Sequence, residues 1–271
     1  MRKTNSTLIG NLACFTAYAI FGFNIICCKN IAIDGNITPM TLFCLRSFGA
    51  TALFWIWSLF TAPKEQIAKA DMWKVAIASF LGLFMTQLSF LFAITKATAI
   101  DASIMSTLSP IMTLIISAIV INERITWSGV TGIILSLVGV LILIFNCVSI
   151  RSGADSTSIW GIVGMLVNTL SFATYVGVFK PLIQKYSVVT FMKWMFLFSS
   201  LMALPFSFGA FGASDLAAVP MNVMWQVIYV VVGATFISYF LIPVAQKRLQ
   251  PVVVCMYSYV QPVIAMMIAL V

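Results

Sequence analysis

Residues 84–110 read FMTQLSFLFAITKATAIDASIMSTLSP, and residues 236–262 read FISYFLIPVAQKRLQPVVVCMYSYVQP. Aligned at a spacing of 152, they share Phe84/Phe236, Ala93/Ala245, Ser106/Ser258 and Pro110/Pro262, and Trp73/Trp225 extends the match upstream. Nearer the start of the chain the spacing is 151, in Gly10/Gly161, Phe21/Phe172 and Lys29/Lys180. A one-residue slip is what a loop insertion between two copies of one unit leaves behind. The chain therefore divides into two repeats, residues 1–148 and 158–271, joined through a stretch that carries Ser and Gly with Arg151 and Asp155.

Hydrophobic residues make up 62% of the chain and charged residues 8%, against roughly 45–50% and 25% in soluble domains. Apolar runs of about 20 residues, enough to cross a bilayer core, recur throughout. They predict helices near 7–28, 39–60, 73–94, 99–120, 127–147, 158–180, 190–208, 222–243 and 252–271. Five spans per repeat is an odd number, so the second copy must sit inverted relative to the first. The expected fold is an all-α membrane protein of two inverted five-helix repeats, a ten-helix plan with nine helices in this sequence. Adding 152 to Asn146, the end of the fifth span, gives 298, beyond Val271. The tenth helix is accordingly expected to be absent from the second copy. Inverted repeats around a midplane site are a recurring plan of secondary transporters, and that plan rather than hydrophobicity points to transport.

The net charge of +8 invites a nucleic-acid reading, which its distribution opposes. With the N-terminus inside, Arg2, Lys3, Lys64, Lys69, Lys74, Arg124, Lys180, Lys185, Lys193, Lys247 and Arg248 fall at cytoplasmic ends, and only Lys29, Lys96 and Arg151 fall outside. This is the positive-inside bias of a multi-pass protein, and both copies obey it in opposite orientations. The expected location is the cytoplasmic (inner) membrane, with a cytoplasmic N-terminus, the lipid bilayer and a small solute as partners, and no nucleic acid. Arg2-Lys3 before an apolar run is also how a signal peptide begins, but the run is too long for one.

Histidine is absent and the six cysteines have no Cys-x-x-Cys spacing. His-based intramembrane catalysis and proton relays are thereby excluded, and neither a metal site nor a cofactor is expected. Asp and Glu occur only at helix ends or loops (Asp34, Glu65, Asp71, Asp101, Glu123, Asp155 and Asp215). Proton-coupled carriers keep a buried carboxylate or histidine on the path, so facilitated diffusion or exchange is expected. Asp101, at the outer start of the fourth span, is the residue that could overturn this.

Leu108-Ser109-Pro110, then Asn122-Glu123-Arg124, then Gly129, Gly132 and Gly139-Val140 form a series. It resembles the EamA-type repeat of the drug/metabolite transporter superfamily. Arg46 in the second span, and Lys29 and Lys180 closing the first and sixth, fit the same pattern. The resemblance covers essentially the whole chain and implies ten helices, cytoplasmic termini and a central cavity. It also implies a transporter of amino acids or related metabolites, more an exporter than an importer, and no enzyme. A membrane scaffold or partner subunit is the alternative.

Candidate substrate-binding residues follow from polarity inside the spans. Arg46 lies about seven residues past Pro39, roughly 10 Å along a helix axis. Its guanidinium suits a bidentate pair with a substrate carboxylate, or its long side chain snorkels to the interface. Asn24, Gln87, Ser106, Tyr175, Tyr239, Tyr257, Ser258 and Gln261 are the other candidates, with interhelical hydrogen bonding as the plain alternative for each. Asn24 and Tyr175 are repeat equivalents, as are Ser109 and Gln261. Pro110 and Pro262 are expected mid-helix, freeing the carbonyls of Ser106 and Ser258 and acting as hinges where their helices line the cavity.

Overall fold

The computed structural model of this chain describes residues 2–61, 65–121 and 157–269, with Thr131, Leu135 and Val138. Apart from those three residues, the span expected at 127–147 lies outside the described residues, as do Glu123 and Arg124. What is described is helical, with no strand among the described residues. Eight long helices follow in order: α1 (Arg2–Asp34), α2 (Pro39–Thr61), α3 (Lys69–Thr95), α4 (Ala99–Ser106 and Ser109–Ile121), α5 (Ile159–Val178), α6 (Val188–Gly212), α7 (Met221–Gln246) and α8 (Pro251–Ala269). A short helix, Lys180–Lys185, joins α5 to α6. Of the eight long helices, all except α4 and α8 are long and apolar enough to cross a bilayer as continuous helices.

Helix starts are set by hydroxyl caps, which satisfy backbone donors that the first turn leaves open. Thr38 accepts from the Thr41 amide at 3.2 Å, Thr98 from Asp101 at 3.1 Å, Ser158 from Gly161 at 3.2 Å and Ser187 from Thr190 at 3.2 Å. Gly35, at φ 79°, ends α1 in the left-handed conformation that a glycine adopts without strain.

The two repeats match in detail. Lys29 donates from Nζ to the Ala97 carbonyl at 2.7 Å, and Lys180 donates to that of Leu249 at 2.8 Å; Ala97 and Leu249 are 152 apart. Each lysine therefore ties the end of its repeat's first helix to the chain leaving the third. Both third helices, α3 and α7, carry a wide π turn, Phe80–Met85 and Val230–Ile237. Such turns leave carbonyls out of the regular ladder. Thr86 donates to the Leu81 carbonyl at 2.7 Å, and its equivalent Ser238 donates to that of Gly233 at 3.2 Å.

The fourth helices break where the sequence led us to expect kinks, but one turn earlier. In α4 the chain turns at Thr107–Leu108 and restarts at Ser109. In α8 a tight 3-10 turn, Tyr257–Tyr259, precedes Val260–Ala269. Pro110 and Pro262 thus stand in the first turn of a new helical segment, where a missing N–H costs nothing, rather than mid-helix.

Apolar side chains form two clusters toward opposite ends of the bundle. One gathers Ala17, Phe54, Leu83, Tyr175, Phe196 and Ile242; the other gathers Ile31, Phe43, Leu91, Met105, Ile162 and Val230. Across the repeats α2 packs along α6: Phe54 stacks on Phe196 with centroids 5.2 Å apart, and Thr51 and Ser200 share a hydroxyl hydrogen bond of 2.7 Å.

Candidate functional site

A partly open cavity lies where the two clusters meet. Every described long helix except α6 reaches it: α1 with Tyr18, Phe21, Asn24 and Ile25, α2 with Arg46, α3 with Thr86, Gln87 and Phe90, α4 with Ala102, Ser106 and Ser109, α5 with Met165, Asn168 and Phe172, α7 with Tyr239 and α8 with Gln261. Of these, Phe21 and Phe172 are repeat equivalents, as are Gln87 and Tyr239, and Ser109 and Gln261. The lining runs from mid-helix in α1 toward its Asp34 end and along the Thr95 half of α3, so the cavity occupies one half of the bundle's depth.

Among the described residues Arg46 is the only charged one in that lining. It is 2% exposed, so it does not snorkel. Its Nε donates to Thr235 Oγ1 at 2.9 Å, and the Thr235 hydroxyl donates in turn to the Val230 carbonyl at 2.7 Å within the π turn of α7. The guanidinium is thereby held in one plane by a residue of the other repeat. Its Nη1 is buried without a partner, and no described carboxylate forms an ion pair with it. Gln87 is equally buried at 2% exposure, and only the Tyr239 hydroxyl approaches its amide, short of a well-formed hydrogen bond. The Tyr18 hydroxyl faces the Cys255 thiol. Buried polar groups are nearly always hydrogen-bonded, so Arg46 Nη1 and the Gln87 amide, both under-satisfied on one cavity, suit a polar guest.

Other polar lining is already engaged. Asn168 donates to the Thr86 carbonyl at 2.7 Å, and Cys28 Sγ donates weakly to Asn24 Oδ1 at 3.5 Å. The structure thus brings together Arg46, Asn24, Gln87, Ser106, Tyr239 and Gln261 of the expected residues. Tyr175, Tyr257 and Ser258 fall outside the lining. Tyr175 is fully buried with its ring against Gly82, where an added Cβ would come within 2.6 Å. Ser258 is also fully buried, with its hydroxyl unpaired, and Tyr257 packs half-buried against the cluster around Cys14. All three lie on the side of the bundle opposite the cavity's opening half, where the helices are closed on one another.

The sequence reading passed over Tyr18, Thr86 and Thr235. Thr235 has no signal in sequence, because its partner Arg46 lies 189 residues away. Asp101, the carboxylate expected to matter for coupling, does not line the cavity. It is buried at the start of α4, where its Oδ2 accepts from Thr98 Oγ1 at 2.7 Å and from Thr157 Oγ1. Asp71 is buried as well, at the start of α3. Its Oδ2 accepts from the Tyr186 hydroxyl at 2.8 Å and from Lys185, and its Oδ1 accepts from Lys74 at 3.2 Å. Nearby, Glu65 Oε2 accepts from the Ser187 amide at 2.8 Å. The opposite end of the bundle from the cavity is thus closed by acids of the first repeat gripping donors of the second.

Comparison with known proteins bears on what such a cavity is for. The model of the EamA-like transporter family matches residues 8–145 and 159–271. An uncharacterized transporter of Archaeoglobus fulgidus is 28% identical over 206 residues, 75% of this chain and 68% of that protein. The uncharacterized inner membrane transporter YicL of Salmonella typhimurium is 27% identical over 208 residues, 74% of this chain and 67% of that protein. The uncharacterized transporter YetK of Bacillus subtilis is 23% identical over 179 residues, and the match spans only about half, 53%, of its length. A solved crystal structure superposes with a TM-score of 0.68 at 16% identity, covering 98% of this chain and 88% of its own, a likeness of fold.

Proposed function

This chain belongs to the EamA-like transporter family, and from that premise we propose that it moves a small carboxylate-bearing metabolite, an amino acid or a related solute, across the membrane by alternating access. The observation that carries this reading is the buried, unpaired Arg46 in a cavity built from both repeats. An intramembrane charge is costly and faces a cavity or a counter-charge; here the cavity is present and a carboxylate partner is lacking among the described residues. A carboxylate entering the cavity meets a guanidinium already oriented by Thr235, so little of the binding energy is spent on ordering the site.

The repeats, 1–148 and 158–271, would move against each other around that point, with the breaks before Pro110 and Pro262 as hinges. With the N-terminus in the cytoplasm and the protein in the inner membrane, as the lysine and arginine distribution favours, the cavity lies in the outward half. The end closed by Asp71 and Glu65 is then cytoplasmic. Export is the direction the family resemblance favours. Cells that express the chain should accumulate one or more carboxylate metabolites in the medium, relative to cells without it, in an untargeted comparison. An unchanged medium would withdraw the export claim, and an absence of saturable flux in either direction would favour a scaffold.

Transport is expected to be insensitive to an imposed pH gradient, because no carboxylate lines the cavity among the described residues. Asp101→Asn keeps an oxygen that accepts from Thr98 and Thr157, and should retain flux within about twofold. Strict dependence on the gradient, lost in Asp101→Asn, would overturn this uncoupled reading.

A further inference from the structure

We propose that the cavity narrows that solute to one of net charge −1, admitting monoanionic carboxylates over neutral, zwitterionic amino acids and over cations, with Gln87 as the second determinant beside Arg46. This rests on the reading of the cavity as the substrate site. Charge is the deciding quantity. Among the described residues the lining holds one guanidinium and no carboxylate. That lining therefore presents a single buried positive charge with no described counter-charge. An ion buried without a counter-charge is expensive, and pairing is what relieves it.

A monocarboxylate brings the site to neutrality. A zwitterion pairs its carboxylate with Arg46 but delivers an ammonium that finds only neutral oxygens and aromatic faces, leaving the net charge of the site unrelieved. A cation adds repulsion. Gln87 fits the anion further: its side chain is 2% exposed and only the Tyr239 hydroxyl approaches its amide, so its Nε2 offers a neutral hydrogen bond to a carboxylate oxygen without changing the charge balance. Its Oε1 suits a hydroxyl on the same solute. The rest of the lining, Phe21, Ile25, Phe90, Met165 and Phe172, is suited to an apolar body.

Three probes share one skeleton and differ in charge: 3-phenylpropanoate, phenylalanine and 2-phenylethylamine. Direct binding of each to the purified full chain, measured by equilibrium dialysis, should rank the anion at least tenfold tighter than the zwitterion, with no binding of the amine. Gln87→Leu should weaken the anion by roughly tenfold. Gln87→Glu, which places a carboxylate beside Arg46, should reverse the preference toward phenylalanine, an outcome that loss of packing alone would not give. Equal or tighter binding of phenylalanine by the wild-type chain overturns the selectivity while leaving transport of a carboxylate solute standing. An unchanged ranking in Gln87→Glu removes Gln87 from the site. Failure of all three probes to bind overturns the selectivity; only an absence of saturable flux for every carboxylate solute would also remove the transport reading beneath it.

Discussion

Arg46→Met is expected to abolish saturable flux of a carboxylate solute into proteoliposomes while leaving the protein at least as stable to heat. Truncating one partner of a buried, hydrogen-bonded charge pair costs about 2–5 kcal/mol of binding, which is roughly 30-fold or more in affinity. The stability half of the expectation has the opposite sign. Arg46 is 2% exposed with Nη1 unpaired and no described counter-charge, so methionine removes a buried charge and fills much of the same volume. Exchanging buried ionic groups for well-packed apolar ones is often neutral or stabilising. Arg46→Lys retains the charge but loses the planar fork whose Nε is held by Thr235, and should keep a weak remnant of flux. Flux measured alongside the melting temperature separates the readings: a loss of both together would make Arg46 a structural residue.

Asp71→Ala is expected to shift the protein toward the state open at the other end. Asp71 accepts from Lys185, Tyr186 and Lys74, and the first two belong to the second repeat. Alternating access requires this end to part, and the acid is buried between the units that must separate. Lys185 is 57% exposed, so water screens part of the interaction. Even so, three donors lose their acceptor at once, and a shift in the population ratio on the order of tenfold is expected. A cysteine at Ser258, fully buried and unpaired in the closed half, should then react faster with a thiol reagent supplied from the side of the Asp71 end. An unchanged rate at that position would mean that Asp71 anchors its helix without holding the two repeats together.

Much of the architecture could be read from the spacing of identical residues, because those residues hold repeated contacts. Lys29 and Lys180 recur since each ties down a carbonyl 152 residues apart from the other's. The register of α2 against α6 was less legible. Their capping residues, Thr38 and Ser187, are 149 apart, and the identical pairs in these helices point to conflicting spacings, Thr41/Thr190 and Ser58/Ser207 at 149 but Ser47/Ser199 and Phe54/Phe206 at 152. The counterpart of Arg46 is therefore Met195 by cap register, whereas the spacing nearer the chain start names Leu197. The cavity half of the candidate site was legible through polarity, since Arg46, Gln87 and Asn24 are anomalous inside an apolar span. Tyr175 and Ser258 are equally polar, yet they sit in the half that is closed in this conformation, and composition carries no signal for which half is open. The π turns were invisible for a related reason: widening a helix by one residue leaves an apolar segment apolar.

Substrate protection of a cysteine at Ser106 tests the central claim most directly. Ser106 lines the cavity, the five described cysteines are buried, and Cys147→Ser removes the sixth. With 3-phenylpropanoate present, Ser106→Cys should be shielded from a charged thiol reagent in a concentration-dependent manner, and the shielding should vanish when Arg46→Met is added. Shielding that persists without Arg46, or none in its presence, would contradict an anion held in this cavity by that guanidinium.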